Sequence, residues 1–359
     1  MALERQVAFW VAALAVIGAL IWLLSDILLP FVAGLVLAYL LDPIARRAER
    51  LGVSRAISAL IIVTLFIVIL VVAAMLIVPI LTEQFAAFVD KLPGYVARLQ
   101  SLVTDPSRPW LSKIFGDRLP DASKSVGTLV TQSSGWITGF LASLWSGGRA
   151  LFSILSLLVI TPVVAFYLLL DWDRVVSSVD SWIPLPHRET VRGLAREIDN
   201  AIAGFVRGQA VICLILAVYY AIGLTLAGLN FGFLIGLMTG LFAFIPYVGA
   251  ATGAIVAGIV TVAQFWPNWT PMLMVAGVFL VGQALEGYVL SPKLVGAKVG
   301  LHPVWLMFSL IAFGYLFGFL GLLIAIPVAA AIGVLLRFAL RQYLASPIYT
   351  GGRPGPGPR

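Results

Sequence analysis

Charge, cysteine and histidine are all scarce in this chain, and each shortage excludes a class of protein. Only 11% of the 359 residues are Asp, Glu, Lys or Arg, against about 25% in a typical soluble domain, so we predict an integral membrane protein. The single cysteine, Cys213, lies in an apolar run, which excludes a disulfide framework. The two histidines are far apart and no Gly-Lys-Ser/Thr loop is present, so we expect no metal, no cofactor and no ATP-driven pump.

Apolar residues are abundant instead and make up 61% of the chain. Runs of about 17–25 such residues are long enough to cross a bilayer as helices. Five runs of roughly this length precede three apolar blocks: the runs are 7–24, 27–41, 56–80, 151–170 and 210–229, and the blocks are 231–265, 271–290 and 304–336. The first and last blocks are too long for one crossing and too short for two.

The predicted fold is therefore an all-α polytopic membrane protein with about eight membrane segments. These segments include Gly/Pro-interrupted or re-entrant helices in the C-terminal half, and an extracytoplasmic amphipathic insert is added to them. We expect six consecutive parts: membrane helices 1–3 (residues 1–80), the amphipathic helical insert (81–150), membrane helix 4 (151–170), a cytoplasmic amphipathic helix segment (171–207), a membrane transport core with broken helices (208–341) and a disordered cytoplasmic tail (342–359). The insert is either a connecting cap or a dedicated receptor domain.

The distribution of Lys and Arg predicts the orientation of the chain. Arginines cluster at 46–55 and 174–207, and basic residues return at 293–298 and 337–359. Cytoplasmic loops carry an excess of Lys and Arg, and placing these clusters in the cytoplasm is consistent at every crossing. We therefore expect both termini in the cytoplasm. The net charge of +7 reflects this topology, so we predict the lipid bilayer and a small polar solute as partners and no nucleic acid.

Two similar segments interrupt the apolar blocks. "FGFLIGLMTGLFAFIP" (231–246) resembles "FGYLFGFLGLLIAIP" (313–327), through either an internal duplication or chance similarity. Non-helical backbone inside a membrane is tolerated only when it is buried in protein or lines a water-filled cavity, and broken helices point to the binding sites of transporters. The alternative is that the glycines pack helices closely and the prolines make kinks. The hinge or broken-helix candidates are Gly240, Gly253, Gly314, Gly318, Gly321 and Pro327.

Glu286 is the only carboxylate between Asp199 and the C-terminus. An acid inside a membrane span is costly, so the default interpretation is a functional group that carries a proton or binds Na⁺. The alternative is a hydrated or paired glutamate near the membrane surface. Arg207 pairs with an acid, holds an anionic solute or is an ordinary basic anchor. The substrate- or ion-binding candidates are Glu286, Gln283, Arg207, Gln209, Pro246, Tyr247, Gly249 and Lys293.

These segments resemble a known family. "FVRGQ" (205–209), "PYVG" (246–249), "LEGYVLSPKLVGAKVGLHP" (285–303) and "GFLGLLIAIPVAAA" (318–331) occur in this order in the autoinducer-2 exporter family, also called PerM-type permeases. The resemblance implies a bacterial inner-membrane protein of about eight membrane segments that moves a small solute and assembles as a homo-oligomer. Some members resemble Na⁺(Li⁺)/H⁺ antiporters. The chain departs from the family pattern at Ala250, where relatives often have proline, and at Tyr288, where many have asparagine.

We therefore expect a permease that moves a small polar solute or signal molecule by ion-coupled alternating access. The coupling ion would be H⁺ or Na⁺. Three alternatives can be distinguished by flux measurements in vesicles. An Na⁺(Li⁺)/H⁺ antiporter would change the internal pH without an organic solute. A passive oligomeric channel would conduct without coupling, and a membrane scaffold would carry no flux. An enzyme is not expected, because no nucleophile–base pair, metal cluster or cofactor loop is visible in the sequence.

Overall fold

The computed structural model describes residues 23–103, 148–246, 248–296 and 302–346, together with single residues at 12, 16, 18, 20 and 349. The regular elements in these ranges are all helical, which confirms the predicted class. They are α1 (Ser25–Arg50), α2 (Arg55–Val103), α3 (Gly148–Ser181), a 3₁₀ turn (Leu185–His187), α4 (Arg188–Leu226), α5 (Gly232–Phe242), α6 (Val248–Phe265), α7 (Trp269–Ala284), two π-helical segments (Leu285–Leu290 and Pro292–Gly296) and α8 (Pro303–Ala345). Tyr247, most of the first predicted span, most of the insert and most of the tail lie outside the described residues; residues 342–345 of the predicted tail belong to α8.

Six helical stretches are long and apolar enough to cross a membrane. They are Ile27–Arg50, Arg55–Tyr95, Leu185–Leu226, Val248–Phe265, Trp269–Val295 and Val304–Ala345. The protein is therefore a multi-pass membrane protein, and the number eight stays a prediction. The described part of the insert continues α2, which runs without interruption to Val103.

The chain folds into two compact units, each built from separate stretches of sequence. The first unit comprises Met1–Thr64, Ser156–Gly208 and Pro292–Arg359, and the second comprises Leu65–Leu155 and Gln209–Ser291. These units are defined by contacts in space. They are therefore a different kind of division from the six consecutive parts expected along the sequence.

Small side chains fill the core of the first unit. Ala59, Ala165, Ala325 and Ala330 are completely buried, and α1 packs against α8. A side chain at Gly34 would collide with Val164 of α3. Small residues let helix axes approach closely, which is how membrane helices associate without a hydrophobic driving force between them.

The last helix, α8, reverses direction at Gly318. This residue has φ 58° and ψ −136°, a conformation that is readily available only to glycine. A Cβ atom on Gly321 would contact the carbonyl group of Phe313, and one on Gly314 would contact the Leu322 side chain. Residues eight apart in a continuous helix are about 12 Å apart along its axis. The arms 303–317 and 319–345 therefore fold back on each other as a helical hairpin.

In the second unit, α4 ends in a glycine cap that turns the chain back. The amide of Gly228 donates to the Thr225 carbonyl, and the amide of Leu229 donates to the Leu224 carbonyl. Gly228 has φ +73°, so this is a Schellman motif, in which a left-handed glycine satisfies the last carbonyls of a helix. Leu224 and Leu229 both pack in the hydrophobic core of this unit.

Helix α5 then packs antiparallel to α4 through a stripe of glycines. Gly232, Gly236 and Gly240 recur every four residues and therefore share one face of α5. A Cβ atom at these positions would meet the α4 backbone at Leu224, at Tyr220 and Ala221, and at Leu216 and Ala217 respectively. The three glycines thus allow direct contact between the two helix backbones.

A second hairpin joins α5 to α6. Helix α5 ends at Phe242 and α6 begins at Val248, so the interruption includes Pro246, which confirms interrupted helices in the C-terminal half. Gly249 lies against Ala243, and Gly253 lies against Thr239. Helix α5 has 11 residues and is about 16 Å long, roughly half the thickness of a bilayer core.

The two similar sequence segments bend at different positions. The first bends at its end, around Pro246, whereas the second bends in its middle, at Gly318, and Pro327 lies inside α8. Gly236 is the counterpart of Gly318 in the aligned segments, and it is helical and packed against α4. The similarity therefore does not extend to the position of the turn.

Candidate transport site

Three polar side chains meet between α4 and α7 in the second unit. Nε2 of Gln283 lies 3.3 Å from Oε2 of Glu286 and 3.5 Å from the Tyr220 hydroxyl oxygen. Gln283 is on α7, Glu286 on the π-helical segment that follows it, and Tyr220 on α4. We call Tyr220, Gln283 and Glu286 the polar cluster.

The backbone changes its hydrogen-bonding pattern where Glu286 lies. Helix α7 ends at Ala284, and Leu285–Leu290 is π-helical, with the Ser291 amide donating to the Glu286 carbonyl. Single π-helical turns are rare and are frequent at functional sites. Glu286 is half-buried and Gln283 is exposed.

Tyr220 connects the polar cluster to the broken helix. Its side chain is completely buried, and its ring lies 5.1 Å from the ring of Phe279 on α7 and close to Gly282. Its backbone lies against Gly236 of α5. Sequence analysis did not identify Tyr220, and the available signal was a pair of tyrosines, Tyr219 and Tyr220, in the apolar run 210–229.

Gln209 binds the backbone at the interruption between α5 and α6. Its Nε2 atom donates to the Ala243 carbonyl at 2.6 Å, and the residue is 5% exposed. Ala243 is the C-terminal cap of α5, where helical carbonyls lose their partners. Gly249 fits against the Ala243 amide and the Phe242 carbonyl carbon, where a side chain would collide.

Arg207 belongs to the first unit, whereas Gln209 and the polar cluster belong to the second. Its Nε atom donates to the Tyr39 carbonyl at 2.8 Å, and Nη2 lies 3.4 Å from Asp42. Pro43 has no amide hydrogen, so it leaves the Tyr39 carbonyl without its helical partner. Arg207 supplies that partner.

Tyr39, Asp42 and Arg207 line a cavity of about 40 Å³ in the first unit. The Tyr39 hydroxyl donates to Asp199 at 2.9 Å, and the Tyr39 ring packs edge-on against Trp172. Of the residues that line this cavity, sequence analysis identified Arg207 as a candidate and did not identify Tyr39 or Asp199. The cavity is lined by Leu35, Ala38, Tyr39, Asp42, Arg46, Leu168, Leu169, Trp172, Asp199 and Arg207. It has room for a few water molecules.

The remaining candidates fall into three groups. Gly240 and Gly253 lie inside α5 and α6 at tight helix contacts. Gly314, Gly321 and Pro327 lie in α8 around the reversal at Gly318. Lys293 is an exposed residue of the first unit, in the second π-helical segment.

Oxygen and amide groups dominate the chemistry of the polar cluster. Within the described ranges, no three His, Cys, Asp or Glu side chains converge as metal ligands. A carboxylate beside an amide and a phenol can accept a proton, and its oxygens suit a hard cation such as Na⁺.

Comparisons with known proteins place the chain in a family. It is 29% identical over 318 residues to YueF of Bacillus subtilis (strain 168), covering 86% of this chain and 83% of YueF. It is 27% identical over 323 residues to YrrI of the same strain, covering 89% of each, and 29% identical over 318 residues to PerM of Escherichia coli (strain K12), covering 87% of each. The names of the first two describe transport proteins, and the name of the third describes a permease. Residues 11–341 match the profile described as AI-2E family transporter, and the chain therefore belongs to the AI-2E family of membrane transporters.

Proposed function

We propose that this transporter moves a small polar solute or signal molecule across the bacterial inner membrane by ion-coupled alternating access. Glu286 would exchange H⁺ or Na⁺, and the turn between α5 and α6 would move with each cycle. The observation that carries the proposal is the position of Glu286 in the polar cluster. Tyr220 of the same cluster packs against α5, the helix that precedes the break. Family membership supports transport in general, and the cluster is the basis for coupling.

The first argument concerns the charge of Glu286. It lies in an apolar helical stretch of 27 residues, and ionisable groups at such places are expensive and mark proton relays or ion sites. Its described partner is an amide, and no Lys or Arg among the described residues forms an ion pair with it. A proton or a sodium ion would supply the missing positive charge.

The second argument concerns the broken helix. One side-chain hydrogen bond, from Gln209, satisfies the Ala243 carbonyl at the turn. Such a bond can be exchanged for water or a solute without unfolding either helix, whereas a helical backbone bond cannot. Tyr220 contacts both Gly236 on α5 and Gln283 in the polar cluster. A change in the charge of Glu286 can therefore act on the hairpin through packed side chains.

The test is flux in liposomes with a Glu286→Gln variant. A pH-sensitive dye inside the vesicles reports proton movement when an Na⁺ or Li⁺ gradient is imposed, alone and with a panel of radiolabelled polar solutes. We expect the wild type to couple solute flux to the ion gradient and Glu286→Gln to lose this coupling. Tyr288→Phe is the matched control, because Tyr288 is exposed on the same π-helical segment.

Each other result has a defined meaning. Unchanged pH and Na⁺ dependence in Glu286→Gln would remove the coupling role. Ion-driven pH changes that need no organic solute would identify an Na⁺(Li⁺)/H⁺ antiporter, and conductive flux without counter-transport would identify a passive channel. We also propose a homo-oligomer, which mass measurement of the purified protein in nanodiscs tests.

A further inference from the structure

Helix α2 extends well beyond its apolar span and becomes part of the second unit. The helix has 49 residues and is about 74 Å long, more than twice the thickness of a bilayer core of about 30 Å. Its C-terminal part, from Leu65 onward, belongs to the second unit. Four of its side chains, Gln84, Phe88, Lys91 and Tyr95, contact the start of α5, and we call them the outer clamp.

Gln84 caps α5 from a different helix. Its Oε1 atom accepts a hydrogen bond from the Leu234 amide at 3.1 Å. Leu234 is the third residue of α5, and the first amides of a helix have no partner within it. The residue at the cap position, Phe231, makes no side-chain cap, so α2 provides what the local sequence lacks.

The other clamp residues hold Phe231 itself. Phe231 has φ 60° and ψ 19°, the left-handed conformation that bulky residues rarely adopt. Its ring lies 5.4 Å from that of Phe88 and 6.5 Å from that of Tyr95, and Nζ of Lys91 lies 5.7 Å from its centre. Tyr95 is itself buried in the core of the second unit.

The loop before α5 also forms hydrogen bonds with α2 and α6. Nδ2 of Asn230 donates to the Tyr95 hydroxyl at 3.1 Å. The Asn230 amide donates to Oε1 of Gln264 on α6, and Nε2 of Gln264 donates to the Gly228 carbonyl, both at 2.8 Å. The base of the α5–α6 hairpin therefore has contacts from α2 and α6, whereas its tip is held at Ala243 by Gln209.

We propose that the outer clamp fixes the base of the α5–α6 hairpin, so that conformational change is confined to the tip at residues 243–246. The clamp residues position α5 and do not contact the solute. The proposal gives a role to the first part of the insert, and its mechanical meaning rests on the proposed function. A strained Phe231 enclosed by aromatic rings is typical of a backbone position that its surroundings hold in place.

Hydrogen exchange tests the clamp without any transport assay. In Gln84→Ala, the Leu234 amide loses its acceptor, so exchange in 232–236 should be about fivefold faster, the effect of one net hydrogen bond. Exchange in α7 should stay unchanged. Glu83→Ala is the matched control, because Glu83 is the exposed neighbouring residue on α2. Equal exchange in both variants would overturn the clamp.

Cross-linking tests whether the base stays fixed during transport. Cys213 is the only cysteine, so a Cys213→Ala background carrying Tyr95→Cys and Asn230→Cys can be joined by a short bis-maleimide. We expect the cross-linked protein to keep the flux of the untreated double variant, with each single-cysteine variant as a control. Loss of flux on cross-linking would show that the clamp opens and would overturn the proposal. Absence of flux in the wild type would contradict the proposed function instead, and the exchange result would still decide the clamp.

Discussion

Single side chains complete helices at two places where proline or a break removes a backbone hydrogen bond. Gln209 binds the Ala243 carbonyl at the α5–α6 turn, and Arg207 binds the Tyr39 carbonyl that Pro43 leaves free. Both come from the "RGQ" segment of α4. An unpaired backbone group inside a membrane costs free energy that water cannot relieve, so these side chains have structural roles as well as any role in transport.

We predict that Gln209→Ala lowers the free energy of unfolding by about 1–3 kcal/mol, because it leaves a buried carbonyl without a partner. Thermal unfolding in detergent measures the change. Gln342→Ala, at an exposed position near the end of α8, should leave stability unchanged. A Gln209→Ala protein as stable as the wild type would mean that water or another donor replaces the amide.

At the level of single residues, some features of the fold and the site could be predicted from the sequence and others could not. Interrupted helices in the C-terminal half were predictable, because Pro246 cannot donate a backbone hydrogen bond. The residue that bends α8 was not, since glycine looks the same in a sequence whether it packs, as Gly240 does, or turns the chain, as Gly318 does. Tyr220 was missed because its polar partner Gln283 is 63 residues away in sequence, and only the fold brings them together.

Ion pairs join the end of α3 to the start of α4. Asp180 lies near the end of α3, and its carboxylate accepts hydrogen bonds from Nε and Nη2 of Arg192, both at 2.6 Å. It also forms an ion pair with Arg188 at 2.9 Å. The turn between α3 and α4 carries the exposed apolar residues Trp182 and Leu185, which contribute little burial. The arginines therefore supply much of what closes this hairpin.

We predict that the α3–α4 hairpin opens in acid. The Arg192 hydrogen bond, reinforced by the charges of Arg188 and Arg192, lowers the pKa of the Asp180 carboxyl below its usual value. Its stabilising contribution is therefore complete above the ordinary aspartate pKa of about 3.9 and is lost as the pH falls through the lowered value.

Hydrogen exchange of residues 182–192 across a pH series, corrected for intrinsic rates, measures this opening. Asp180→Asn should expose these amides at every pH and remove the pH dependence, whereas Glu189→Gln, an exposed acid of the same turn, should behave as the wild type. Protection that is independent of Asp180 would show that packing closes the hairpin instead.

At the scale of the whole molecule, each unit contains a helical hairpin that forms within one of the long apolar blocks. The α5–α6 hairpin lies in the second unit, and the α8 hairpin lies in the first. The hydrophobic pattern of the sequence predicted the long blocks and their interruptions, because both follow from local composition. The division into units did not follow from the pattern, since each unit combines stretches that are more than 50 residues apart.

The charge distribution gives a prediction for the whole chain in its membrane. In a Cys213→Ala background, an impermeant maleimide applied to spheroplasts should label Leu226→Cys and Trp269→Cys but should label Leu51→Cys and Leu185→Cys only after permeabilisation. All four positions are well exposed, and arginine clusters flank the last two, for which we therefore propose a cytoplasmic location. The reverse pattern would invert the proposed orientation of both termini.

The glycine stripe of α5 inverts the usual ranking of helix-forming residues. Alanine is ordinarily the best residue in a helix, about 1 kcal/mol better than glycine. At Gly236 and Gly240 an added methyl group would collide with α4 main-chain atoms, which cannot rotate away as a side chain can. The intrinsic helical weakness of α5 and its close fit against α4 therefore have one origin, and α5 depends on its neighbours to remain folded.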